Sequence, residues 1–150
     1  MLVYADRERA ISPADHLRAI AADVARGGRE ALTDAFVRAS ELAQGLIDAE
    51  FAGVDHATPL HRASLALLRD LALRLHRPVP AFWENPFAGL ALPPRVQART
   101  AEGYAHYAVY PEAFLAAGER LQASTVIGLR SIGAGLGALV AVACGAERLF

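Results

Sequence analysis

The stretch Val126-Ile-Gly-Leu-Arg-Ser-Ile-Gly133 runs directly into Ala-Gly-Leu-Gly-Ala-Leu-Val-Ala141. An apolar run, then an arginine and a hydroxyl, then a small-residue segment is a composition that can hold an anion. If the first part is a strand and the last a helix, the first helical amides lack internal partners. They also carry the positive end of the helix dipole. Gly133 and Gly135 would let the backbone approach a ligand closely. Arg130 would add a bidentate cation for phosphate or carboxylate, and Ser131 a hydroxyl. The pattern predicts a strand over 125–129 and a helix over 133–144 closed by Gly145. Residues 147–150 then read as the opening of another strand. A second reading uses the same glycines only to pack strand and helix together. Gly133, Gly135 and Gly137 do not have the spacing of the dinucleotide fingerprint, and no Gly-Lys-Ser/Thr follows.

Other residue types suggest less. Tyr104 and Tyr107 could stack on a base, or could pack in a core or interface. His56 and His61 stand five apart, whereas helical metal pairs sit three or four apart, so no metal site is predicted. Ser131 lacks Ser-His-acid partners, and no Gly-x-Ser-x-Gly elbow exists. Glu102 and Glu112 read as solvated, and His16 and His76 as helix-surface residues. The single cysteine, Cys144, cannot form an internal disulfide and reads as a buried thiol.

The whole composition narrows the classes further. The chain has 150 residues, 54% of them hydrophobic and 21% charged, which is a globular balance. Its formal net charge of -1 provides no basic field, so no nucleic-acid partner is expected. All 15 basic residues are arginine, which excludes lysine chemistry and suits a GC-rich bacterial genome. The N-terminus turns charged too early for a signal peptide. The apolar run 132–146 is shorter than the ~20 residues a bilayer requires. The expectation is a cytoplasmic protein with no membrane partner.

The elements that must position the loop can be read in order. Ser12-Pro13-Ala-Asp15 starts a helix that carries Leu17, Ile20 and Val24 and ends at Gly27-Gly28. A second helix, over 29–50, turns Leu32, Phe36, Ala39, Ala43, Leu46 and Ile47 inward. Asp34, Arg38, Glu41 and Asp48 fall off that stripe and read as solvated. A third helix starts at Thr58-Pro59, buries Leu60, Ser64, Leu67, Leu68, Leu71 and Leu75, and stops before Arg77-Pro78. Pro78, Pro80, Pro86, Pro93 and Pro94, with Phe82, Trp83 and Phe87 among them, mark an ordered irregular segment. The module boundary is placed there. The run 104–109 alternates like a strand, although helical spacing fits it too, and 111–121 reads as a short helix.

The Arg130-Ser-Ile-Gly133 turn between a strand and a small-residue helix resembles the pyrophosphate loop of type I phosphoribosyltransferases. Tyr104-Ala-His-Tyr-Ala-Val-Tyr-Pro111 resembles bacterial members of that group more loosely. The resemblance implies an α/β protein: an N-terminal helical module over 1–78, then the first part of a phosphoribosyltransferase-like (Rossmann-like) domain over 79–150. It implies that Arg130, Ser131, Ile132 and Gly133 meet pyrophosphate, with Mg²⁺ carried by the substrate. The ligand would be a phosphorylated ribose or a nucleotide-type molecule. The family's acidic pair and its Thr/Ser-rich glycine loop have no counterpart here, so an incomplete domain is expected. Two alternatives stand beside it. One is a non-catalytic helical interaction module, docking Leu60 to Leu75 on a partner or a second copy of the chain. The other is a different nucleotide-binding α/β protein.

Overall fold

The computed structural model describes residues 8–53, 57–79, 83–99, 110–130 and 133–150. Three long helices dominate it: α1 (Pro13–Arg26), α2 (Arg29–Glu50) and α3 (Pro59–His76). Local chemistry fixes their ends. The Ser12 hydroxyl accepts from the Asp15 amide, and Pro13 opens the first turn of α1. Gly27, at φ 68°, ends that helix. The Thr58 hydroxyl accepts from the His61 amide at 3.0 Å, and Pro59 follows it.

The inward stripes pack as their spacing predicts. Ile20, Phe36, Leu46, Leu67, Leu68 and Leu71 are fully buried, as is Ser64. Leu60 and Leu65 are half-buried beside them. The α3 stripe is therefore covered from within the chain.

Of the charged face assigned to α2, Asp34 and Arg38 are exposed as expected, whereas Glu41 and Asp48 are not. Residues 41–47 are all buried, because α1, α3 and a short strand cover this helix from several sides. Glu41 is buried and ion-paired with Arg9; burial pushes its carboxyl above the usual range, and the Arg9 and Arg38 charges oppose that shift. Arg38 donates to Asp23 at 3.2 Å, and Arg26 donates to the same carboxylate at 2.8 Å. His16 is not a surface residue either. It is half-buried, and its Nε2 is enclosed with no hydrogen-bond partner among the described residues. Burial lowers its pKa, and the nearby Arg9 and Arg38 charges lower it further.

β1 (Arg9–Ile11) pairs antiparallel with β2 (Val96–Ala98), so that Ile11 faces Val96. Gly45 of α2 lets this ladder sit close: a Cβ there would lie 2.8 Å from the Gln97 carbonyl oxygen. In the proline-rich segment Phe87 is buried and Trp83 half-buried, as aromatics in an ordered wrap should be.

The remainder is α4 (Pro111–Gly118), β3 (Thr125–Val126), α5 (Gly133–Ala143) and β4 (Arg148–Leu149). β3 and β4 are parallel neighbours with α5 as their crossover. Gly145, at φ 70°, closes α5, and the Ala146 amide returns to the Ala141 carbonyl at 2.8 Å. Arg69 of α3 ties down this turn by donating to the carbonyls of Ala146 and Glu147 at 2.9 and 3.1 Å. Leu115, Ala134, Ala138 and Leu139 join the same apolar core as Leu17, Phe36 and Leu68.

This architecture overturns the α/β expectation. The protein is mostly helical, and its described strands form two separate two-stranded ladders of two or three residues per strand. Neither ladder is wide enough to be the central layer of a doubly wound fold, so a Rossmann-like domain is not present in what is described. The run 125–129 misleads because its residues are strongly apolar yet mostly uncovered. The strand proper ends at Val126, and Ile127 and Leu129 are 73% and 75% exposed. The backbone leaves the ladder at Gly128 and folds against the start of α5. A Cβ on Gly128 would lie 2.6 Å from the Gly133 carbonyl oxygen.

Candidate functional site

The carboxyl ends of parallel strands are where open α/β units expose backbone and loop to a ligand. Here β3 continues into Ile127 and Gly128, and β4 into Phe150. The Gly128 amide donates to the Phe150 carbonyl at 2.7 Å and holds the two ends together. A cleft of about 300 Å³ opens beside them, lined by Ile47, Ala57, His61, Leu65, Ile127, Gly128, Arg130, Ala134 and Phe150. Four parts of the chain meet there: the end of α2, the start of α3, the segment from β3 into α5, and Phe150 after β4.

Arg130 is the cation of this cleft, and its setting is specific. Its guanidinium carbon lies 3.5 Å from the centroid of the Phe51 ring. Its Nη1 donates to Asp48 Oδ1 at 3.2 Å. The other Asp48 oxygen accepts from Gln44 Nε2 at 2.7 Å, and Gln44 Oε1 accepts from the Arg99 amide at 2.8 Å. Buried Gln44 thus links the residue after β2 to Asp48, and Asp48 links α2 to the loop. Asp48, read as solvated from the sequence, is a structural anchor for Arg130.

Of the residues named for pyrophosphate, Arg130 and Gly133 lie among the described ones; Ser131 and Ile132 lie outside them. The Gly133 amide donates to the Leu129 carbonyl at 2.8 Å. A Cβ on Gly133 would sit 3.2 Å from the Gly128 carbonyl carbon, and one on Gly137 would sit 3.2 Å from the Gly128 Cα. These glycines therefore pack α5 onto β3. Tyr104 and Tyr107, named for base stacking, also lie outside the described residues, as do His56 and Glu102. Glu112 sits elsewhere, paired with Arg29 at 3.2 Å.

Sequence reasoning passed over Asp48, Phe51, His61 and Phe150 as parts of one site. They are distant in the chain and belong to no shared motif. His61 was considered for a metal pair, whereas its place is on the cleft wall.

Chemically, the cleft combines a guanidinium and an imidazole with aliphatic and aromatic walls. That combination can hold an anion in partly desolvated surroundings, where charge-assisted hydrogen bonds are stronger. Its described lining contains no carboxylate, hydroxyl or thiol side chain. Among the described residues no three His, Cys, Asp or Glu side chains are grouped to hold a metal ion. Among the described residues no helix is long and apolar enough to cross a membrane.

Comparison with known proteins adds no identity: no family model, curated protein or solved structure matches the chain.

Proposed function

We propose that the chain binds a phosphate-type anion, of which inorganic pyrophosphate is the simplest probe, in the cleft between α2, α3 and the β3–α5 loop. One observation carries this reading: Arg130 stands beside the joined carboxyl ends of β3 and β4, stacked on Phe51, at the wall of an open cleft. Stacking fixes the plane of the guanidinium and reduces the ordering that a ligand must impose. Asp48 works against affinity, because an incoming anion must share or displace its hold on Arg130. Weak binding follows, with Kd on the order of 1 mM, or about -4 kcal/mol. The proposal concerns binding, and no residue is assigned to a bond-making step.

Calorimetry or phosphorus NMR with inorganic pyrophosphate tests it. Arg130→Ala should weaken binding by roughly ten- to a hundredfold, the worth of a hydrogen bond to a charged group. Arg120→Ala, an exposed arginine away from the cleft lining, should have no effect. Arg38 would be a poor control, since it is tied to Asp23. Equal pyrophosphate affinity in wild type and Arg130→Ala would move the site elsewhere.

A further inference from the structure

The walls of the cleft say more about the ligand than its cation does. Ile47, Leu65, Ile127 and Phe150 are the large apolar side chains of the described lining, and Arg130 and His61 its polar side chains. Ile127 is 73% and Phe150 59% exposed, so two large apolar side chains stand at the rim in water. Scattered apolar residues on a surface are ordinary, but apolar residues around a cleft with one cation have the form of a small-molecule site. The volume of about 300 Å³ equals that of roughly ten water molecules, which suits a single-ring or short-chain body with its charged head.

From this lining we infer that the ligand is a phosphate ester of a hydrocarbon body, aryl or short alkyl, rather than a sugar phosphate. The inference rests on the anion-binding reading and specifies what is attached to the anion. The phosphate meets Arg130, with His61 on the same lining. The hydrocarbon lies across Leu65, Ile127 and Phe150, where it removes exposed apolar surface from water. A ribose in that place would turn its hydroxyls toward side chains that can neither donate nor accept. Each hydroxyl stripped of water without a new partner costs binding free energy. The preference comes from the mismatch as much as from the gain, which is how a site with few polar side chains in its described lining discriminates.

Three probes decide it, titrated by calorimetry or NMR into the full chain: inorganic pyrophosphate, phenyl phosphate and ribose 5-phosphate. Phenyl phosphate should bind at least about tenfold more tightly than ribose 5-phosphate, the effect of burying one ring. Ile127→Ser should remove that preference while changing pyrophosphate affinity by less than about twofold, because the side chain touches only the body of the ligand. Thermal melting of Ile127→Ser checks that the fold is intact. Pyrophosphate binding with no advantage for phenyl phosphate over ribose 5-phosphate overturns this inference and leaves the anion site standing. A preference that survives Ile127→Ser overturns the assignment of the hydrocarbon to this wall. Failure of pyrophosphate and phenyl phosphate alike overturns the anion site, and this inference with it.

Discussion

The α1–α3 helices and the β3–α5–β4 unit use apolar residues in opposite ways. In the helices Phe36, Leu42, Leu46, Leu67, Leu68 and Leu71 are all fully buried. In the second unit Ile127, Leu129 and Phe150 are each more than half exposed, although α5 between them buries Ala138, Leu139 and Ala141 completely. The helices pair most of their backbone groups within their own turns, and then α1 and α3 bury one face and α2 several. Among the described residues the β3–β4 ladder has no third strand on either edge, and parallel ladders are normally covered. Large buried side chains are concentrated in the first region, and exposed apolar ones in the second. Binding sites are commonly drawn from the less stable part of a fold. The cleft draws its exposed rim, Ile127 and Phe150, from the ends of the ladder strands, and its anchors, Asp48 and Phe51, from the end of α2.

The largest effect that could break this comparison belongs to the helices. Leu71→Asp places an unpaired carboxylate where no solvent reaches and should cost roughly 2–5 kcal/mol, read from chemical denaturation. An unchanged denaturation midpoint would mean that the helical core is not the stabilising region.

Acid should act on the same region next. His16 has a folded pKa below its ordinary 6.5, because it is buried beside the Arg9 and Arg38 charges. As pH falls through that ordinary value, the unfolded chain takes up a proton that the folded chain resists. Stability is thus fully present above about 6.5 and declines until pH passes the lowered folded value. Asp15 opposes the shift, and Glu41, whose pKa is raised, has the opposite pH trend in the carboxylate range. His16→Gln should flatten the decline that sets in below about 6.5, measured by melting across pH. A slope identical to wild type would show that His16 titrates as it does in the unfolded chain.

The smallest effect is expected in the ladder. Leu129→Ser, at a side chain 75% exposed, should shift stability by no more than about 0.5 kcal/mol. Sedimentation of wild type and variant sharpens this result. A loss of stability that accompanies loss of self-association would show that Leu129 is covered in an oligomer.

Local signals determined a good deal from the sequence alone. Ser12-Pro13 and Thr58-Pro59 set two helix starts, and Gly27 and Gly145 two helix ends, because caps depend only on neighbouring residues. The stripes of α1 and α3 named the core, since period and burial coincide when a helix is covered on one side. On α2 that logic failed: a helix covered on several sides buries Glu41 and Gln44 too, and no periodicity can tell an exposed charge from an enclosed, paired one. The apolar run after Thr125 failed for the converse reason. Hydrophobicity predicts burial only if something lies over it, and Ile127 and Leu129 are left open in the tertiary structure. The sequence determined that Arg130 stands at a strand-to-helix turn. Only the packing of α2 against that turn decided that Phe51 would stack on it and Asp48 would hold it, because those contacts join residues some eighty positions apart.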